Sequence, residues 1–293
     1  MTIRLIPRLD IKGPNLVKGI HLEGLRVLGR PEEFARHYYE SGADELIYMD
    51  VVASLYGRNS LHEIITRTAR EIFIPLTVGG GLRTIDDITQ VLRAGADKVA
   101  LNTAALRNPD IIREASRIFG ASTIVVAIEA IKQLDGRYLA FTDNGRQETG
   151  VEVIGWARQA EELGAGEILI TSVDREGTGL GYDLELTRAV TAAVSVPVIA
   201  HGGPGRMEHL RQAVAEAQVG GLAVSSLLHY DFLKKGRPGA SGVGPEEGNV
   251  DFLKSGRLDS RMEPAGLLQI KRFLGSRGVP CRLPNEGEVP GRG

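Results

Sequence analysis

A single cysteine, Cys281, in 293 residues excludes an internal disulfide and points to a reducing compartment. No apolar run is long enough to span a membrane, and the opening MTIRLIPRLDIK lacks the apolar core of a signal peptide. A cytoplasmic protein with no membrane partner is expected. An excess of charge of one sign is also missing. Lys and Arg number 35 against 37 Asp and Glu, for a net charge of −2, so no broad nucleic-acid surface is indicated. The six histidines (His21, His37, His62, His201, His209 and His229) contain no HxxxH-type pair, and GxGxxG is absent. Neither a metal nor a cofactor is expected.

What is present is an ordinary globular composition, 42% hydrophobic and 25% charged, arranged in a regular alternation. Strand-like runs occur at 5–11, 45–51, 74–80, 98–103, 123–130, 167–174, 196–203 and 221–229. Amphipathic stretches such as PEEFARHYYESG and TIDDITQVLRAG separate them, ending at glycine. Eight strands alternating with helices predict a parallel sheet, either closed as a barrel or open and doubly wound.

An internal repeat decides between the two. GADELIYMD (42–50) matches GAGEILITSVD (164–174), and IPLTVGGGLR (74–83) matches VPVIAHGGPGR (196–206), both at an offset of 122. KVALNTA (98–104) is expected on GGLAVSS (220–226) at the same offset. Asp10 and Glu129 correspond at 119, which implies a small insertion in the second copy. A four-strand unit cannot close alone, but two of them make eight strands. The expected fold is α/β, a single (β/α)8 TIM barrel over residues 1–282 built from two duplicated half-barrels. A segment at 231–263, rich in Gly and charge and holding DFLKKGR and DFLKSGR, reads as an insertion loop on the site side: a lid, a partner contact or surface decoration. One more helix, LLQIKRFLGSRG, and a tail at 283–293 expected to be disordered complete the chain.

In such barrels the chemistry sits at the C-terminal ends of the strands. Asp10 ends strand one and Glu129 ends strand five, on opposite sides of an eight-strand ring. The pair suits general acid–base chemistry on a ligand held between them, the alternative being two salt-bridged strand ends. The glycine-rich turns VGGG (78–81) and HGG (201–203), with Asn102-Thr103 and Ser225-Ser226, follow strands three, seven, four and eight. Glycine lets a backbone approach an anion, and the next helix start offers free N–H groups. Two such cradles on opposite sides imply an elongated ligand with a phosphate at each end; singly, each would be more simply a tight turn. Lys18, in a loop after strand one, adds a positive contact or is a solvated surface lysine.

The runs IPRLDIKGPNLVKG, IPLTVGGGLRTIDD, GADKVALNTAALRNP and above all LGAGEILITSVDREGTGLGYDLELTRAV resemble the cyclase subunit of imidazole glycerol phosphate synthase, the HisF family. The likeness covers residues 3–229 and resumes weakly at 264–282. It implies a heterodimer with a HisH-type glutaminase that releases ammonia at the barrel's bottom. Ammonia would cross the interior to a bisphosphorylated ribulosyl aminoimidazole carboxamide nucleotide, giving imidazole glycerol phosphate and the aminoimidazole carboxamide ribotide. By the resemblance Asp10 matches the catalytic base and Glu129 the position of the acid. Gly80, Gly81, Asn102, Thr103, Gly202, Gly203 and Ser225 match ligand-binding positions, and Lys18, Thr171, Glu176, Gly177, His201 and Ser226 stand with them as candidates. Arg4, Glu45, Lys98 and Glu167, at the starts of strands one, two, four and six, match the charged ring where ammonia enters, or form a stabilising salt-bridge ring.

Four departures from the family pattern touch the site. Glu129 and Glu176 stand where Asp is usual, His201 where Ser is usual, and Arg8 where a small residue, usually Cys, is found; the 231–263 segment is extra. Arg4, Ile6, Arg8 and Asp10 share one parity, so Arg8 is expected inside the barrel beneath Asp10. A buried Arg needs a carboxylate, and Asp10 or Glu129 would serve. The departures leave two alternatives beside the cyclase. One is a paralog that passes ammonia to sugar amidination in surface-polysaccharide synthesis. The other is a non-catalytic barrel that binds and activates a glutaminase.

Overall fold

The computed structural model describes residues 2–53, 61–235 and 261–283. The eight apolar runs form eight parallel strands: β1 (Arg4–Lys12), β4 (Leu46–Asp50), β5 (Leu76–Gly79), β6 (Lys98–Leu101), β7 (Ile124–Lys132), β10 (Glu167–Ser172), β11 (Val198–His201) and β12 (Gly221–Val224). β1 pairs with β12 (Leu5↔Leu222) and with β4 (Leu9↔Tyr48), and β7 pairs with β10 (Leu169↔Ala127), so the ring closes. The sheet is a barrel, as the repeat predicts.

Strand parity sorts the side chains. Leu5, Leu9 and Ile11 point outward into the main core between sheet and helices, while Ile6 joins Ile47, Ala100, Val125, Ala127, Leu169, Ile199 and Ala223 in a separate inner layer. Local chemistry fixes the helix ends. Of TIDDITQVLRAG, Ile85–Ala94 is helical; Thr84 and Asp87 form a capping box, and Gly95 closes the helix at φ +119. A Cβ on Gly95 would sit 2.5 Å from the Ala69 methyl, so glycine serves both the turn and the packing.

Two hairpins are additional to the sequence reading. β1 and β7 are nine residues long, against four to six for the other barrel strands, and overrun the barrel. β1 turns back into β2 (Asn15–Ile20) and β3 (Glu23–Gly29); β7 turns back into β8 (Tyr138–Thr142) and β9 (Gln147–Glu152). Lys18 therefore lies in a strand rather than a loop. The turn from β1 to β2 is residues 13–14 and that from β7 to β8 is 133–137, which locates the three-residue insertion that the offsets of 119 and 122 require. A second correction concerns the last block. The helices Ile85–Ala94 and Met207–Ala217 start 122 apart, but the second is one residue longer. Asn102 and Ser225, with nearly identical backbone angles (φ −126, ψ −85 and φ −117, ψ −83), then correspond at 123 rather than 122.

Strand eight stops at Val224, and the predicted continuation to 229 is helical from Ser226 to Lys234, so residues 231–234 are a last helical turn and not loop. The rest of the expected insertion up to residue 260, and the tail from 284, lie outside the described residues. Past it, the Glu263 N–H donates to the Gly205 carbonyl at 2.7 Å, and Leu267–Ser276 forms the expected final helix. No helix of the described residues is long and apolar enough to cross a membrane.

Candidate active site

β1 delivers two of the charged groups of the mouth. Arg8 and Asp10 are both buried, and Arg8 Nε donates to Asp10 Oδ1 at 2.9 Å. Arg8 Nη1 reaches across the barrel to Thr171 Oγ1 at 3.3 Å and His201 Nδ1 at 3.1 Å. The guanidinium only donates, so His201 Nδ1 accepts and its proton sits on Nε2. Burial first, then the charges of Arg8 and Lys18 and the nearby His229, hold the His201 pKa well below the ordinary value, so the ring is neutral and not a cationic phosphate contact. Of the two carboxylate partners that the parity argument leaves open for Arg8, the guanidinium takes Asp10.

Glu129, at the opposite strand end, is half-buried and accepts from the Gly145 N–H at 2.8 Å. Burial raises its pKa to about 7. Arg8 and the Gly145 N–H pull the other way, while Asp10 and Asp143 add to the rise. Lys18 lies buried between Asp10, 4.0 Å away, and Glu176, with which it makes a close ion pair. Burial lowers the Lys18 pKa to about 8, against the pull of Asp10. The mouth thus carries Arg8–Asp10 and Lys18–Glu176 as two buried pairs on one side and Glu129 on the other.

A cavity of about 220 Å³ opens on the Glu129 side. Its floor includes Arg8, Ala100, Ala127 and Thr171, and its rim Gly80, Gly81, Asn102 and Thr103. The first predicted cradle therefore opens on the same space as Glu129. Asp10 is not among the lining residues; Arg8 stands between, so the two carboxyls do not face one another across an open space as the sequence suggests. Gly80 sits at φ +98 with any Cβ driven into the Asp50 carbonyl, which makes this turn obligatorily glycine. Asn102 Nδ2 donates to the Phe141 carbonyl, and its Oδ1 is buried without a partner among the described residues.

The second cradle is different. Gly177, His201, Gly202, Gly203, Ser225 and Ser226 do converge, together with Glu176, but enclose only about 10 Å³. That holds one water at most. The β2–β3 hairpin packs against Glu176 and Gly177 of this cradle. Its tip residues His21 and Leu22 take φ of +52 and +62, a two-residue turn. The His21 N–H donates to the Glu176 carbonyl at 2.9 Å, the Leu22 N–H to Glu176 Oε2 at 3.1 Å, and a Cβ on Gly177 would lie 2.6 Å from the Gly19 carbonyl. Ser225 is turned away from the cradle, donating to the Arg8 carbonyl at 2.9 Å.

At the other end of the barrel the predicted charged ring is present. Arg4 Nη1 meets Glu45 at 2.8 Å and Arg4 Nη2 pairs closely with Glu167; Lys98 bridges the same two carboxylates at 3.0 and 3.2 Å.

Residues outside the sequence reading also build the site. Asn144 lines the cavity and donates to the Leu22 carbonyl at 2.9 Å, joining the tips of the two hairpins. Arg83 and Arg107 line the rim, the latter paired with Asp143 at 3.1 Å. The one legible signal was Asp143-Asn144-Gly145, a turn tripeptide between the runs YLAFT and QETGVE.

A duplicated (β/α)8 barrel with a raised-pKa carboxyl and glycine turns around one cavity has the layout of the class of barrels whose site is the C-terminal mouth. The chain belongs to the histidine biosynthesis protein family, whose profile matches residues 4–234. It is 61% identical over 206 residues to the imidazole glycerol phosphate synthase subunit HisF of Legionella pneumophila, covering 70% of this chain and 97% of that protein. It is 44% identical over 231 residues to the subunit of the same name from Alkaliphilus metalliredigens (strain QYMF), covering 79% of this chain and 92% of that one.

Proposed function

We propose that the chain is the cyclase subunit of imidazole glycerol phosphate synthase, a cytoplasmic enzyme of histidine biosynthesis that works with a HisH-type glutaminase. The observation that carries this reading is 61% identity extending over nearly the whole of a relative named for that subunit. In this reading ammonia adds to the bisphosphorylated ribulosyl nucleotide at the mouth. Glu129, with a pKa of about 7, is half-protonated at neutral pH and serves as the general acid. Asp10, held by Arg8, is the base. One phosphate seats on Gly80, Gly81, Asn102 and Thr103. The other requires the β2–β3 hairpin to lift from Gly177, opening Gly202, Gly203 and Ser225. The glutaminase docks over Arg4, Glu45, Lys98 and Glu167.

Growth of a cyclase-deficient histidine auxotroph carrying this chain tests the reading, with Asp10→Asn as control. Growth that depends on Asp10 supports it; soluble, folded protein without growth sinks it.

The closed second cradle and the guanidinium across the axis favour a second reading, a paralog that delivers ammonia to a different acceptor, such as a sugar undergoing amidination. It predicts stimulated glutaminase activity in a three-component mixture with a sugar-modifying partner, and no turnover of the bisphosphate nucleotide.

A further inference from the structure

Arg8 is 2% exposed, and two of its three guanidinium nitrogens are committed, Nε to Asp10 and Nη1 to Thr171 and His201. Nη2 makes no hydrogen bond among the described residues, while the side chain lines the floor of the 220 Å³ cavity. A guanidinium only donates, so Nη2 is the Arg8 nitrogen left to meet an acceptor placed in the cavity. Glu129 lines the same cavity and feels the Arg8 charge, yet the two make no ion pair. A gap therefore separates a fixed cationic donor from a carboxyl. The rim of the same cavity is the Gly80–Gly81 and Asn102–Thr103 cradle.

We infer that Arg8 is a ligand-binding residue that donates from Nη2 to a carbonyl oxygen of a phosphate ester whose phosphate sits on the Gly80–Gly81 rim. The inference rests on the reading of that rim as a phosphate cradle. A carbonyl fits the gap better than a carboxylate, because a carboxylate would bring a further negative charge beside Glu129 and Asp10. A hydroxyl fits less well than either, being a weaker acceptor for a charged donor. Asp10, Thr171 and His201 fix the guanidinium plane from three sides, so the donor direction is set before any ligand arrives, which limits the ordering cost of binding. The arrangement belongs to the first half alone: the equivalent position in the second half, at the offset of 119, is Ala127.

Calorimetric titration of the full chain with ribulose 5-phosphate and ribitol 5-phosphate tests the inference, since the two differ in one carbonyl. Wild type is expected to bind the ketone about tenfold more tightly, the worth of one charge-assisted hydrogen bond. Arg8→Met is expected to bind both compounds with the wild-type affinity for ribitol 5-phosphate. Because Arg8→Met leaves Asp10 buried without its cation, Arg8→Met/Asp10→Asn serves as a second variant that removes the orphaned charge, with the same expectation. Equal binding of ketone and alcohol by wild type, or a ketone preference that survives in either variant, overturns the inference. Loss of binding for both compounds in wild type overturns the cradle reading and the inference together. An alcohol that binds with no ketone advantage overturns the Arg8 assignment alone.

Discussion

Glu129 sits where burial and a neighbouring guanidinium pull in opposite directions, and burial wins, placing its pKa at about 7. An acid of that pKa is active below it, so turnover is expected to fall as pH rises through about 7. Glu129→Gln should lower kcat by about 100-fold or more and abolish that limb of the pH profile. The same shift bears on folding. The folded pKa lies above the unfolded value of 4.5, so the protonated carboxyl favours the folded state at low pH. That contribution is lost as pH rises from about 4.5 through about 7. Urea midpoints should therefore show Glu129→Gln gaining stability relative to wild type between pH 5 and pH 8. A constant difference across that range would mean that the carboxyl is not desolvated. At this scale the sequence supplied the inward direction of Arg8, because parity along β1 is geometric. It did not supply the partner, because the choice between Asp10 and Glu129 depends on which carboxyl the guanidinium reaches across the ring.

The elements that reshape the mouth are the hairpins, and they were the least legible part of the chain. Their strands carry polar and glycine residues on both faces, as in QETGVE, so no clean alternation marks them. Their pairing partners are the overrunning ends of β1 and β7, which the apolar pattern alone does not measure. The consequence is that Lys18 is a buried ion-pair partner instead of a surface group. Asn144 holds the two tips together through the Leu22 carbonyl. Asn144→Ala should accelerate amide hydrogen exchange at residues 20–24 with little change at the barrel strands; unchanged protection there would mean that the tips are held by other contacts. The helices, in contrast, were readable from their ends. Thr84→Ala removes the capping box of Ile85–Ala94 and should cost about 1 kcal/mol in chemical denaturation.

For the whole molecule, the barrel followed from the offsets, since a repeat of four strands has to be doubled to close. The one-residue slip before β12 was legible in the residues themselves, since KVALNT falls on GLAVSS at an offset of 123 with Ala100 on Ala223, and on GGLAVS at 122 with no identity. The floor of the barrel is a closed circuit of Arg4, Glu45, Lys98 and Glu167. Its two cations serve the same two carboxylates, so their contributions should not add. A double-mutant cycle with Arg4→Met and Lys98→Met is expected to show coupling of about 0.5–3 kcal/mol, and additive losses would show the pairs to be independent.

That floor draws three of its charges, Arg4, Glu45 and Lys98, from the first half and only Glu167 from the second. The guanidinium of Arg8 likewise reaches Thr171 and His201, whose counterparts in the first half at the offset of 122 are Met49 and Gly79. If the chain is divided between residues 120 and 121, two first halves brought together would leave the floor net positive and strand each Arg8 against residues with nothing to accept its bonds. Two second halves would leave the floor net negative. Only the unlike pair has a neutral floor and gives Arg8 its acceptors across the barrel, so the separately produced halves should seek each other and not themselves. The asymmetry that interrupts the repeat is thus an address label, and it tells one half of the barrel which other half to close against.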